Sequence, residues 1–326
     1  MYLLIRLLRA WIRVLSTDRS DVGAIEKFLR GALLVPAFGF ALVMLWIRAA
    51  VRGPVIVEAR ARFGRTFRCK LPDLIQMYIA LFDTWEPDLT QFIQERLRPG
   101  DVFIDVGANI GYYTLLASAK VGAAGAVVAI DALPSNFAEL QHNLDINEGS
   151  ANVRAINGGV SDARGTIDVY AGPAHNVGLA TTAPGNRRNL RREASVPAAP
   201  LADFLRDDEI RRARVVKIDV EGGEPAVVSG MTRFLSECGE RVEILLELSP
   251  AWWSDPALTP EAVLKPLRKA GFNTYVMNNS YWPWRYLWPR SVARPRRVQT
   301  LSDKRVKRID LVVSRVDAEE LLPPPQ

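Results

Sequence analysis

Three acids crowd one short stretch, Lys217-Ile218-Asp219-Val220-Glu221-Gly222-Gly223-Glu224, directly after the apolar run Val215–Ile218. A carboxylate at the end of a strand can take a proton from a hydroxyl as that hydroxyl becomes a nucleophile. Acids this close together raise the proton affinity of at least one of them by mutual repulsion. The block therefore predicts a base or an acceptor-orienting group at Asp219 or Glu221. Glu224 stands nearby as a possible substrate contact. The plainer alternative is that these acids cap the helix that follows.

A second constellation is Asp105-Val106-Gly107-Ala108-Asn109-Ile110-Gly111, placed after the apolar run Val102–Val106. Glycine at 107 lets the backbone turn sharply and approach a ligand, and glycine at 111 permits close helix–strand packing. Asp131 ends the next apolar run, where an acid roughly 20 residues on accepts hydrogen bonds from ribose hydroxyls. By pattern alone, a nicotinamide dehydrogenase and a methyltransferase fit equally well.

These residues need a scaffold that brings strand ends together. The spacing predicts strands at Val102–Val106, Ala126–Ile130, Val153–Asn157, Thr166–Tyr170, Val215–Ile218, Ile244–Leu248, Thr274–Met277 and Ile309–Ser314. Helices are expected at Asp73–Phe82, Asp88–Leu97, Tyr112–Lys120, Ser135–Asn147, Ala226–Glu237 and Pro260–Ala270, and a small hairpin at Val55–Val57 and Thr66–Lys70. Strands alternating with helices imply an α/β fold: a mostly parallel sheet covered on both faces. Ligands then bind beyond the carboxyl ends of the strands.

The composition is that of an ordinary globular chain, 48% hydrophobic and 24% charged over 326 residues, which argues against disorder. A net charge of +6 admits nucleic acid, anionic lipid or an acidic substrate without choosing among them. Cys69 and Cys238 lie far apart and lack metal-ligand spacing, and two histidines, His142 and His175, are too few for a histidine metal centre. No metal is expected, and a reducing cytoplasmic setting fits the catalytic part.

Residues 1–52 read differently. Leu4, Leu8, Trp11 and Leu15 recur at helical spacing while Arg6, Arg9 and Arg13 fall on another face, a pattern suited equally to an anionic membrane surface and to a helix packed on its own domain. Gly31–Ile47 follows as an uncharged run bounded by Arg30 and Arg48 and interrupted by Pro36. It is at the short end of the ~17–25 residues that span a bilayer. The expectation is a monotopic or re-entrant anchor, with a true span second and a buried core helix third. The domain boundaries expected are 1–52 for this segment, 53–318 for the catalytic domain and 319–326 for a tail.

The blocks Trp85-Glu86-Pro87, Pro99-Gly100-Asp101-Val102-Phe103-Ile104 with Asp105–Gly111, and Lys217–Glu224 resemble the FkbM family of class I methyltransferases over roughly residues 66–314. The resemblance implies a Rossmann-like class I methyltransferase fold with S-adenosylmethionine as cofactor. On this chain Asp105, Gly107, Asn109 and Gly111 would line the methionine and ribose, and Asp131 would take the ribose hydroxyls. Asp162 would face the adenine amine, or else sit in a solvated turn. Glu86 would orient the methionine end, or else serve a helix N-terminus. Family members usually show glutamate and proline after the second strand, where this chain has Asp131-Ala132-Leu133-Pro134.

Relatives of this family typically methylate hydroxyls of sugars, polyketides or lipids, so a small-molecule, sugar or lipid-linked acceptor is expected. His175 is a candidate for approaching it. Trp282 lies in the aromatic run Tyr281–Trp288, whose rings suit sugar faces or a membrane interface. A nucleic-acid methyltransferase is the first rival, although no Asp/Asn-Pro-Pro-aromatic motif and no Pro-Cys nucleophile occurs. A non-enzymatic membrane adaptor with a degenerate cofactor pocket is the second.

Overall fold

The computed structural model describes residues 1–17, 21–172, 180–182, 190–287, 294–301 and 307–322. The chain divides into two compact units. One gathers Met1–Phe92 with the described part of 279–293, and the other holds the rest.

In the first unit, helix α1 (Tyr2–Leu15) buries Ile5, Leu8, Ile12 and Leu15, spaced three or four apart so that they share one face. Helix α2 (Ala24–Arg52) buries Leu34, Phe38, Ala41 and Leu45 by the same rule. It runs unbroken past Pro36, where the sequence suggests an interruption. Proline removes one backbone bond within the helix, and Pro36 is exposed, so Ala32, itself exposed, loses its bond in contact with solvent. Strands β1 (Val55–Arg60) and β2 (Thr66–Leu71) form the expected antiparallel hairpin. Asp73 caps helix α3 (Leu74–Phe82) by accepting from the Gln76 amide at 3.1 Å. Arg9 pairs with Asp83, and the Phe38 ring meets Tyr78 and Phe82 at 6.0 Å. Helix α4 (Pro87–Arg96) continues into the second unit.

The second unit runs β3 (Val102–Val106), α5 (Tyr112–Val121), β4 (Ala126–Asp131), α6 (Pro134–Asp145) and β5 (Val153–Asn157). A small excursion follows with β6 (Gly159–Val160), β7 (Gly165–Ala171), β8 (Ala180–Thr181) and β9 (Arg191–Ala199). The chain then returns through α7 (Asp207–Arg212), β10 (Ala213–Ile218), α8 (Glu224–Ser229), α9 (Thr232–Glu237) and β11 (Glu243–Leu248). It closes with α10 (Pro260–Lys269), β12 (Asn273–Val276), β13 (Arg296–Val298) and β14 (Ile309–Ser314).

Among the described residues the central sheet has the order β13-β12-β14-β11-β10-β3-β4-β5. Strands β11, β10, β3, β4 and β5 are parallel, and β14 enters antiparallel between β11 and β12. From β3 the chain winds outward through β4 and β5, then crosses to β10 on the other side. The β3/β10 boundary is thus the switch point, where open α/β sheets leave a crevice beyond their strand ends. Every residue of β3 is buried, as a central parallel strand requires.

Two expectations are corrected. The strand expected near Thr166–Tyr170 exists as β7, but it belongs to a separate sheet of order β6-β9-β7-β8. Its long partner β9 opens on Arg191-Arg192-Glu193, is rich in alanine and has Pro197 inside it, so it reads weakly as a strand. The single helix expected over Ala226–Glu237 is two, α8 and α9. The chain bends at Gly230, where an added Cβ would lie 2.1 Å from the Ser161 carbonyl oxygen.

Candidate active site

The turn after β3 is built from backbone conformations that few side chains accept. Gly107 has φ +79°, and a Cβ there would sit 1.8 Å from the Asp219 carbonyl oxygen. The turns leaving β3 and β10 therefore touch, joined also by the Asp219 amide donating to the Val106 carbonyl at 3.0 Å. Asn109 is left-handed at φ +52°, a conformation asparagine tolerates better than most residues. Its amide donates to Asp131 Oδ2 at 2.7 Å, and the Leu133 amide donates to Asp131 Oδ1 at 2.9 Å. Asp131 thus ties the ends of β3 and β4 together. Gly111 begins α5 against Leu140.

Asp105 is buried, and its Oδ2 accepts from Thr114 Oγ1 at 2.6 Å. Its Oδ1 is buried without a hydrogen-bond partner among the described residues. Native proteins rarely leave a carboxylate oxygen orphaned, so an unfilled acceptor beside a ligand turn marks a place for a donor. Burial raises the proton affinity of Asp105, opposed by Lys217 and the Thr114 hydroxyl. Burial also pushes Asp131 up to about 7, with the Asn109 and Leu133 amides pulling the other way.

Beyond β10 the acids form one cluster. Carboxylate oxygens of Asp219, Glu221 and Glu247 lie within 4.8 Å of one another. Lys217 Nζ, itself buried, donates to Asp219 Oδ2 at 2.9 Å. Glu221 sits at φ +40°, its carbonyl accepting from Thr181 Oγ1 at 2.6 Å. Burial, followed by Asp219 and Glu224, pushes the Glu221 carboxyl up to about 7, while Ser249 and Arg308 hold it down. Arg308 also lies 3.9 Å from Glu247 and 3.0 Å from Asp310.

Glu224 is fully buried, and its two oxygens accept from the Gly222 amide at 3.0 Å and Trp253 Nε1 at 2.8 Å. Its carboxylate holds the turn's shape. Asp162 is exposed and accepts from Ser161 Oγ at 3.2 Å, on a turn packed against Gly230. Glu86 belongs to the first unit, where Oε1 accepts from Asn279 Nδ2 at 2.7 Å and from the Tyr281 hydroxyl at 2.6 Å. Trp282, also in that unit, is 62% exposed and stacks on Trp284 at 4.8 Å. His175 lies outside the described residues.

The structure thus brings Asp105, Gly107, Asn109, Gly111, Asp131, Asp219 and Glu221 to the carboxyl ends of β3, β4 and β10. Thr114, Lys217, Glu247 and Ser249 were not foreseen from the sequence as members of the site. One signal was available. Glu247 interrupts the apolar run Ile244–Leu248, and an acid within a buried strand needs a partner or a task.

A mostly parallel sheet with the antiparallel β14 inserted near one edge and β13 antiparallel at that edge, and a ligand turn at the switch point, is consistent with the class I methyltransferase architecture. The FkbM methyltransferase domain model matches residues 105–274, and the chain belongs to that family. It is an S-adenosylmethionine-dependent methyltransferase. Two characterised relatives are similar to it. The hexuronic acid methyltransferase AglP of Haloferax volcanii is 27% identical over 188 residues, 57% of this chain and 72% of AglP. Methyltransferase sdnD of Sordaria araneosa is 26% identical over 191 residues, 50% of this chain and 71% of sdnD. Among solved structures, the methyltransferase FkbM from Methylobacillus flagellatus aligns at 13% identity and TM-score 0.38, over 73% of this chain and 52% of its own.

The residues present fit the cofactor. The orphaned Asp105 Oδ1 can accept from an ammonium group. Asp131 keeps lone pairs for hydroxyl donors after its two amide bonds.

Proposed function

We propose that this enzyme methylates a hydroxyl of a sugar, and that Glu221 is the base. The observation that carries this reading is the Glu221 carboxyl, raised to about 7 within an acidic cluster at the switch point, beside the Gly107 turn. A catalytic base works best with a proton affinity near the operating pH. Bound S-adenosylmethionine supplies a methyl group on a positively charged sulfur, already activated toward an aligned nucleophile.

Asp105, Gly107, Asn109 and Gly111 would hold the methionine and ribose, with Asp131 accepting from the ribose hydroxyls. Asp162 would serve the adenine end. Asp219, fixed by Lys217, would orient the acceptor hydroxyl, and Glu221 would take its proton as that oxygen receives the methyl group. Glu224 braces the turn. Glu86 anchors Asn279 and Tyr281 in the first unit, and Trp282 offers an exposed ring face on which a sugar can stack. AglP, which is named for a hexuronic acid, supports a sugar acceptor. The long apolar helix α2 supports a lipid-linked form of it, and association of residues 1–52 with a membrane.

The test is transfer of a labelled methyl group from the cofactor into extracted glycans and glycolipids. The expected product is a methyl ether on a sugar, and E221Q is expected to lower kcat by about 10²–10³-fold with cofactor affinity retained. Label appearing only on nitrogen or on nucleic acid would contradict the reading.

A further inference from the structure

The two N-terminal helices leave a surface that the fold does not cover. On α2, Ile25, Phe28, Phe40, Val43, Ile47 and Val51 are all exposed large apolar side chains. Their spacing keeps them on the side of the helix away from the buried Leu34, Phe38, Ala41 and Leu45. The charged residues of α2 before Arg52 are partly buried, so this outer stripe is uncharged along almost all of the helix. At 1.5 Å per residue it runs for roughly 40 Å. Exposed apolar area of this extent marks an interaction site.

Charge identifies the partner. On α1 the exposed Leu3, Leu7 and Val14 share a face with the exposed Arg6 and Arg13, the mixed apolar and cationic face that anionic lipid surfaces bind. At the foot of α1 lies a pocket of about 330 Å³ lined by Arg13, Arg62, Ser16, Thr17 and Asp83, with Ile12, Leu81 and Phe82 as its apolar wall. The Asp83 carboxylate is paired with Arg9 and the Ser16 hydroxyl donates to the Ile12 carbonyl at 2.8 Å, so the Arg13 and Arg62 guanidinium groups are what suit a phosphate. The apolar wall suits the glycerol and acyl stems attached to it.

The packing also fixes how α2 meets the bilayer. Helix α1 lies antiparallel along α2: Arg30 donates to the Leu15 carbonyl, Trp11 Nε1 donates to the Leu33 carbonyl at 3.3 Å, and the Tyr2 hydroxyl reaches the Ile56 carbonyl at 3.2 Å. Arg6, Arg9 and Arg13 therefore run beside the apolar middle of α2, and Arg9 is paired with Asp83. If α2 crossed the membrane, it would carry these charges into the hydrocarbon, where each is costly. A helix with one face on protein and the other uncharged belongs in the interface plane, its apolar side sunk about 5–10 Å.

We propose that the first unit is a monotopic platform for anionic phospholipid. In this arrangement α2 lies in the membrane plane on its uncharged stripe, and the Arg13–Arg62 pocket takes a lipid phosphate. This deepens the membrane reading above and is independent of the acceptor, because the assay needs neither cofactor nor methyl transfer. The full chain is floated with vesicles of phosphatidylcholine alone, or of phosphatidylcholine containing phosphatidylglycerol. Binding to the phosphatidylglycerol vesicles is expected, with at least tenfold weaker affinity for R13E/R62E and for F28D/F40D/I47D. Phe28, Phe40 and Ile47 lie on the exposed stripe, and unchanged melting temperatures would show each variant folded. Orientation is read from A24C and R52C in right-side-out and inside-out membrane vesicles from expressing cells, with a membrane-impermeant maleimide. Labelling of both positions in the same vesicle type is expected. Failure of the wild-type chain to float, equal binding by the charge-reversed variant, or labelling of the two positions from opposite sides would each overturn the proposal. So would a lipid-free dimer that hides the stripe and binds no vesicles.

Discussion

Glu221 and Asp131 share a proton affinity near 7, but they would serve different steps, and this separates them experimentally. A base must be ionised to act, so the rate under cofactor saturation should rise with pH through about 7, and E221Q should flatten that limb. Asp131 must be ionised to accept two hydroxyl donors well, so cofactor affinity should also rise through about 7. D131N should weaken cofactor binding at least tenfold and leave the rate limb of saturated enzyme in place. Calorimetric titration across pH 5.5–8.5, beside initial rates, checks both. Two of the cluster's carboxylates are met by cations of the chain itself, Asp219 by Lys217 and Glu247 by Arg308. Activity is therefore expected to survive exhaustive treatment with a chelator, and loss restored by a divalent cation would contradict that balance.

At the level of elements, the contact between the turns after β3 and β10 is what makes a site from two separated sequence blocks. Gly107→Ala forces a Cβ into the Asp219 carbonyl and imposes a left-handed alanine, so it should abolish measurable cofactor binding. Strain of this kind costs about 1–3 kcal/mol before any clash is counted. Gly165→Ala has open space at its site and should melt and bind as wild type. Thermal melts with and without cofactor compare the pair. The elements around this contact were legible because buried parallel strands read as apolar runs and Asp105–Gly111 follows one of them. Strand β9 was not legible, because Arg191–Ala199 alternates weakly and contains Pro197, and its pairing with β7 is a tertiary fact. Glu247 was legible as an acid inside an apolar run, but its pairing with Arg308 and its place beside Glu221 were not. Glu247 and Arg308 join Glu221 only when β11 and the approach to β14 are laid side by side.

For the whole molecule, the buried acids make stability depend on pH in a definite direction. A carboxyl raised on folding holds a proton that the unfolded chain has already released, so folding loses ground as pH climbs from the ordinary carboxylate range to about 7. Asp131 and Glu221 both contribute in this sense, and Asp105 and Glu224 are shifted the same way. The ligand-free chain should therefore melt at a higher temperature near pH 5 than near pH 8, a difference reduced in D131N/E221Q. The most direct test of the account as a whole remains catalytic. Purified enzyme is incubated with methyl-labelled S-adenosylmethionine and a sugar or glycolipid fraction, and the product is characterised. Label is expected in a sugar methyl ether, formed by wild type and reduced about 10²–10³-fold by E221Q that still binds cofactor. Undiminished transfer by E221Q, or label confined to acceptors without a sugar hydroxyl, would contradict it.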